Sequence, residues 1–306
     1  MAHSRLDLNL LTALDALLAE QSVTRAARRL NLSPSATSGS LARLREYFGD
    51  DLLTRVGRRL VRTPLAETLQ PEIRDCLLHL ESTLETRPRF EASTATRTFR
   101  LMMSDYASTV LMPDVVRRVE REAPGVTLEL LATSDAPWEV LDRGEVDFLV
   151  LPEAFVRDAH PSAVLFADEY VCVVAAEHPE VGERLTIENF RSLGHVVTRA
   201  GSRRPATIDA TFFERFGEQR RVAVIAPSFA CVPHLLVGTR HIAIIHKRLA
   251  DIYCRSLPLR IVPAPVALPR IVERMQWHRY RERDPGRMWL GTVLHAAAAM
   301  APTLGA

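Results

Sequence analysis

Residues 22–48, SVTRAARRLNLSPSATSGSLARLREYF, constrain this chain more than any other stretch. Two short helices and a tight joint can be read from them. Thr24 is placed to cap the first helix, which runs through Leu30, because a hydroxyl there accepts an orphan N–H of the first turn. Asn31-Leu32 supplies the joint. Ser33 caps the second helix, and Pro34 fits its first position, where no N–H is needed. Thr37, Leu41, Leu44 and Phe48 then recur at spacings of 4, 3 and 4 as one apolar stripe, while Ala26, Ala27 and Leu30 offer small partners in the first helix. This is helix-turn-helix geometry, in which the second helix enters the DNA major groove by its N-terminal end. The face away from the stripe carries Pro34, Ser35 and Ser38. Serine pairs with either kind of base, so part of any specificity must come from elsewhere. Gly39 sits inside the second helix at a cost of roughly 1 kcal/mol relative to alanine. Close approach of the backbone to DNA and tolerated drift both account for it.

The next segment, DDLLTRVGRRLVRTP (50–64), reads as a two-stranded ribbon over 53–56 and 59–62 that turns at Gly57, with Arg55, Arg58 and Arg59 near its tip. An arginine-tipped ribbon beside a helix-turn-helix makes a winged helix, and narrow minor grooves attract arginine. Arg28, Arg29 and Arg43 are candidates for phosphate contacts. The charge distribution agrees: residues 1–64 hold ten arginines against six acids, although the whole chain carries only +2. The plain alternative is a helical hairpin with a solvated basic face. The ribbon, the charge asymmetry and the long helix that follows favour double-stranded DNA as partner.

That helix spans 65–86, with Leu69, Ile73, Cys76, Leu80 and Leu84 as its apolar stripe, Pro64 before it and Pro88 after it. Its length is roughly 33 Å. The stripe is expected to pair with the same helix of a second chain in a two-fold contact; packing on the rest of its own chain is the alternative. Residues 87–96 are a linker by composition. From Arg97 onward, strand and helix patterns alternate. Strands are expected near 98–103, 126–132, 147–151, 164–167, 170–175, 195–198, 221–225, 241–245, 257–262 and 271–277. Helices are expected near 105–122, 136–143, 186–191, 205–216, 229–237, 247–254 and 285–300. Such alternation implies parallel sheets with helices on both faces, and some 210 residues are large for one sheet. The expected organisation is α/β: a winged helix-turn-helix domain (1–64), a linker or dimerisation helix and hinge (65–96), and a two-lobed α/β domain (97–306). Lobe I takes about 97–165 and 266–306, and lobe II about 166–265.

Several chemistries are excluded by composition. Lys247 is the sole lysine and follows Ile244-Ile245-His246, so there is no phosphate-binding P-loop; H-E-x-x-H, G-x-S-x-G and G-x-G-x-x-G are also absent. The four cysteines, at 76, 172, 231 and 254, form no C-x-x-C pair and read as reduced thiols. His234, His241 and His246 fall on different elements, so no metal is expected, nor any cofactor. Neither a signal peptide nor a membrane span is read, so a cytoplasmic protein with no membrane partner is expected.

These residues resemble the LysR-type transcriptional regulators. The matching string is Asp7-Leu8-Asn9-Leu10-Leu11, Thr24-Arg25-Ala26-Ala27, Leu32-Ser33, Ser38, Leu41, Leu44, Arg55, Gly57-Arg58 and Thr63-Pro64. The resemblance extends over nearly the whole chain. Gly144-Glu145-Val146-Asp147-Phe148-Leu149, Tyr170-Val171-Cys172-Val173 and Leu257-Pro258-Leu259-Arg260-Ile261-Val262 look most like the nodulation-activator branch, NodD. The regulators of aromatic degradation NahR and LinR lie close by. The resemblance implies a winged helix, a dimerising linker helix and a two-lobed effector domain of periplasmic-binding-protein type. It also implies homodimers or homotetramers that activate or repress transcription at promoter DNA, with RNA polymerase as a further partner and no enzymatic activity. One departure is that many relatives have Gln-Pro after the capping serine, where this chain has Pro34-Ser35.

Ligands of two-lobed α/β domains bind at carboxyl ends of strands and amino ends of helices. Ser104 opens the helix after the first strand of the effector domain, where it shows a hydroxyl and nearby amides to a polar ligand or simply caps the helix; the two are compatible. The resemblance puts Ser104, Leu151, Arg203, Phe229 and Trp277 at or near the pocket. A cation at Arg203 suits a carboxylate or phenolate, whereas Glu169 would repel one unless paired. The expected effector is a small aromatic compound. An enzyme regulated by its N-terminal module and a solute-binding protein are the competing readings; the missing catalytic motifs weigh against the first, and the attached basic module with no leader against the second.

Overall fold

The computed structural model describes residues 7–57, 59–84, 90–198, 220–268 and 270–300. Arg58, Arg203 and the helix expected over 205–216 lie outside them. The chain divides into two compact units, Met1–Thr86 and Arg87–Ala306.

In the first unit, α1 (Leu8–Glu20) starts on Asp7, whose carboxylate accepts from the Asn9 amide at 3.0 Å. Helix α2 (Val23–Leu30) is capped by Ser22, whose Oγ accepts from the Arg25 amide at 3.3 Å. The cap is therefore two residues earlier than the sequence pattern suggested, and Thr24 lies within the first turn. Asn31 closes α2 at φ +54°, a left-handed conformation that asparagine tolerates. Helix α3 (Pro34–Phe48) begins on Ser33, whose Oγ accepts from the Ala36 amide at 3.1 Å, with Pro34 at its first position. Thr37, Leu41 and Leu44 are buried, and Phe48 half-buried. Their stripe packs with Leu14, Leu17 and Leu18 of α1 and with Ala26 of α2. Strands β1 (Leu53–Val56) and β2 (Arg59–Arg62) form an antiparallel ribbon with Val56 opposite Arg59 and Gly57 turning at φ +61°. Arg45 clamps the ribbon to α3 by donating to the carbonyls of Asp51 (2.8 Å) and Leu53 (2.7 Å). Helix α4 (Pro64–Leu84) follows, with Leu69 and Ile73 packed on the same core. Farther along the expected stripe, Cys76 is exposed and Leu80 half-buried.

The second unit contains β3 (Thr98–Met103), α5 (Asp105–Glu122), β4 (Thr127–Ala132), α6 (Pro137–Asp142), β5 (Phe148–Pro152) and β6 (Ser162–Ala175). It continues with α7 (Ile187–Ser192), β7 (Gly194–Thr198), β8 (Arg221–Ala226), β9 (His241–His246) and α8 (Lys247–Cys254). Strands β10 (Leu259–Val262) and β11 (Arg270–Gln276) and helix α9 (Pro285–Met300) complete it. The strand order is β4-β3-β5-β11-β6-β9-β7-β8, with β10 also on β6. β3 is parallel to β4 and β5, and β7 to β8 and β9, but the strands between these groups pair antiparallel. The expected all-parallel arrangement thus holds at the flanks and gives way in the middle, where the chain crosses from one lobe to the other and returns. β6 is the crossing: its first part pairs with β11, and residues 170–175 pair with β9 and β10.

Two further expectations are corrected. The strands read over 164–167 and 170–175 are one strand, because the polar pair Asp168-Glu169 does not interrupt it; Asp168 is fully buried and satisfied from three sides. The helix read over 229–237 is a series of turns with one 3-10 turn, Pro233–Leu235. Pro233 lacks the N–H that an α-helix would need there. The lobe I core lies between α5, α9 and the sheet, built on Phe99, Leu101, Tyr106, Leu111, Phe148 and Leu294. Lobe II has two cores, one centred on Phe190 and the other on Leu236 and Ile245.

Candidate functional site

The exposed face of α3 carries Ser35, Ser38 and Arg43, and Pro34 is exposed at its first turn. Ser33 serves as the cap, and its Oγ lies 2.9 Å from that of Ser35. Thr24 and Arg28 are exposed on α2. Arg29 is directed elsewhere than expected, to Asp15 (3.3 Å) and Glu20 (3.9 Å). Asp15 also holds Arg74 of α4 at 2.6 Å, so this buried carboxylate ties three helices together. Arg55 is exposed at the ribbon tip, where Nε donates to the Gly57 carbonyl at 3.2 Å, and Arg59 is exposed beside it. No carboxylate pairs with Arg28, Arg43 or Arg59 among the described residues. The ribbon tip also exposes Val56, an apolar residue between cations that charge counting passes over.

In the effector unit, Ser104 caps α5, with Oγ accepting from the Ala107 amide at 3.1 Å. The next residue crosses between lobes: Asp105 Oδ2 accepts from the Ala230 amide at 2.7 Å. Phe229 and His246 meet edge to face, with centroids 4.9 Å apart, and His246 stacks flat on Tyr106 at 3.6 Å. The Tyr106 hydroxyl donates to Asp168 Oδ2 at 2.6 Å, and the Arg248 amide reaches the same oxygen at 3.2 Å. Ser104, Phe229 and this cluster therefore meet at the lobe boundary.

Burial governs the ionisation of the cluster. It pushes the Glu273 carboxyl up to about 8, assisted by the negative charge of Asp168, and it lowers His246 to about 3. Burial also raises Tyr106 and Asp168, against the hydrogen bonds that Asp168 accepts. At neutral pH His246 is an uncharged, buried aromatic ring. The Arg248 guanidinium lies over the Phe166 ring at 4.6 Å; its Nη2 donates to the Ala167 carbonyl at 3.4 Å, and its Nε and Nη1 are buried with no hydrogen-bond partner among the described residues.

The other expected pocket residues do not join this group. Leu151 packs with Met102, Leu141, Val146 and Leu149 on the sheet face opposite α5. Trp277 follows Gln276, which pairs with Leu149 and Ser162, whereas the boundary end of β11 is Arg270, paired with Glu169. β11 runs away from the carboxyl end of β5, so it carries Trp277 to the far end of lobe I, against Phe148 and Arg287. Glu169 is paired with Arg270 at 3.4 Å. The residues that sequence reasoning missed, Tyr106, Asp168, His246, Arg248 and Glu273, come from four separate segments, and no local pattern joins them. No group of three or more His, Cys, Asp or Glu could hold a metal ion among the described residues, and no helix among them is long and apolar enough to cross a membrane.

Comparison with known proteins decides what the two units are. Residues 8–67 match the family model of the bacterial regulatory helix-turn-helix protein, lysR family, and residues 92–299 match that of the LysR substrate binding domain. The chain is a LysR-type transcriptional regulator. It is 41% identical over 294 residues to Nodulation protein D of Bradyrhizobium sp. (strain ANU 289), covering 96% of this chain and 87% of that one. It is 42% identical over 294 residues to Nodulation protein D 2 of Rhizobium meliloti (strain 1021), covering 96% and 95%. Among solved structures it resembles the probable transcriptional regulator PA0477 from Pseudomonas aeruginosa, with a TM-score of 0.65, 31% identity and coverage of 95% and 97%. The LysR-type assignment makes the first unit the DNA-binding module and the second the effector-binding module of a regulator rather than of an enzyme.

Proposed function

We propose that this LysR-type regulator reads promoter DNA as a homodimer or homotetramer in the cytoplasm, is switched by a small aromatic effector bearing an acidic group, and acts on RNA polymerase at the promoter. In this reading 1–64 hold the DNA, 65–96 join the chains through α4, and 97–306 take the effector. Arg28, Arg43, Arg55 and Arg59 contact phosphates, and the serines of α3 face the groove. The observation that carries the effector assignment is the aromatic cluster of buried Tyr106 and His246 with half-buried Phe229 at the lobe boundary, near an Arg248 guanidinium whose Nε and Nη1 have no acceptor among the described residues. Flat rings favour packing against such rings, and buried guanidinium donors left without an acceptor favour a carboxylate or phenolate. Ser104 adds a hydroxyl and the amino end of α5. Leu151, on the opposite sheet face, and Trp277, at the far end of lobe I, take no part in this site.

The test is thermal shift of the full chain against aromatic acids, phenols and flavonoid-like compounds, followed by promoter output with the best binder. Phe229→Ala and Ser104→Ala should weaken the response at least tenfold and leave operator affinity unchanged. A panel without any shift, or variants that lose DNA binding itself, would refute the assignment.

A further inference from the structure

Gly39 is the least explained residue of α3. Alanine is favoured over glycine in a helix interior by about fivefold in the local equilibrium. Nothing inside the protein asks for that sacrifice. A Cβ built at Gly39 meets no atom within 4 Å, and the residue is not among those with a left-handed backbone. The contrast with Gly125 and Gly194 is direct, since a Cβ there would lie 2.5 Å from the Ala95 carbonyl oxygen and 2.7 Å from His241.

The position of Gly39 on the helix is equally specific. Successive residues turn by roughly 100°, so Gly39 stands about 200° around from Thr37, which is buried, and lies opposite the Thr37–Leu41–Leu44 stripe. Ser35 and Arg43 lie one turn to either side of it, both exposed. Ser38 is a quarter turn round, on the flank. The crown of the outward face is therefore glycine, with a hydroxyl before it and after it a cation that meets no carboxylate among the described residues.

We infer that Gly39 is a specificity-determining residue of this regulator: the missing side chain lets the α3 backbone settle onto the base edges in the major groove. The inference rests on the DNA-binding role of α3. A helix with side chains is roughly 10–12 Å across and the major groove roughly 12 Å wide, so one bulky residue at the crown holds the whole helix off the bases. At close range, base pairs with different groove profiles are told apart by shape, which short serine hydroxyls alone do not achieve. Arg43 then fixes depth and register through a phosphate.

The full chain is used to enrich duplexes from a randomised pool at fixed salt. Affinities for the enriched duplex and for a random duplex are then measured for wild type, Gly39→Ala and Gly39→Leu. Both variants should melt at or above the wild-type temperature, since both residues favour helix. Affinity for the enriched duplex should fall at least tenfold with alanine and further with leucine, at unchanged random-duplex affinity and salt slope. A fresh selection with Gly39→Ala should alter the preferred bases at one or two adjacent positions of each half-site. A specific-to-random ratio within threefold of wild type overturns the inference, and so does a lowered melting temperature, which would mean that the fold itself needs glycine. If wild type enriches no sequence at all, the DNA-reading assignment falls as well, so the two failures are told apart by the wild-type arm.

Discussion

Arg28, Arg43 and Arg59 are exposed with no carboxylate opposite them among the described residues, whereas Asp168, His246, Arg248 and Glu273 are buried together at the boundary between two lobes. The same kinds of group are used in opposite ways. In the DNA-binding unit these three cations are left at the surface, where they await an external polyanion and are screened by salt. In the effector unit, charge is taken out of water and held by a few hydrogen bonds, where protonation rather than salt decides its state. The first unit should therefore answer to ionic strength and the second to pH.

The largest expected effect tests the buried side of this contrast. Asp168→Ala leaves the Tyr106 hydroxyl and the Arg248 amide without their acceptor. Stranded buried donors cost about 3 kcal/mol together. All three tryptophans, Trp138, Trp277 and Trp289, lie in the effector unit, so fluorescence during urea unfolding reads that unit alone. A loss below about 1 kcal/mol would show that the cluster is not what holds the boundary.

Next comes pH. Folded Glu273 keeps its proton up to about 8, well above the ordinary carboxyl value of 4.5. The unfolded chain releases that proton from about 4.5 upward, so the stabilising contribution is complete below that value and is lost as pH rises toward 8. The slope is at most about 1.4 kcal/mol per pH unit for one proton. Buried His246, held down to about 3, pulls the opposite way below about 6.5, so Glu273→Gln should flatten the fluorescence-monitored stability profile between about pH 6.5 and 8; an unchanged slope there would mean that Glu273 does not hold the proton.

The exposed side is tested by Arg43→Ala. Binding to enriched and random duplexes should weaken alike, and the slope of log affinity against log salt should flatten by about one. A pH-dependent rather than salt-dependent loss would erase the contrast between the units. The smallest effect concerns a cap: Ser22→Ala should cost the first unit about 1 kcal/mol in amide hydrogen exchange, against less than about 0.5 kcal/mol for Thr24→Ala.

The same contrast explains what could be read from the sequence. Caps, turns, the Thr37–Phe48 stripe and the ribbon are local, and the DNA-binding unit follows from them element by element. Alternation along the chain likewise indicates most strands and helices of the effector unit. Strand direction has no local signature, however, so Trp277 could not be assigned to an end of lobe I before the register of β11 was known. Asp168 looked like a strand break because its partners, Tyr106 and Arg248, are 62 and 80 residues away. Arg29 looked like its neighbour Arg28 until Asp15 claimed it.

One consequence of β6 concerns modularity. Its 14 residues form one unbroken strand whose first part belongs to the lobe I sheet and whose last part belongs to lobe II. A chimera that transplanted a single lobe between relatives would have to cut that strand in mid-ladder and also sever the return through β11. The smallest portable cassette is therefore the whole of Arg87–Ala306, and sensors with new ligand ranges are better sought by grafting that cassette entire onto a chosen DNA-binding head than by shuffling its halves.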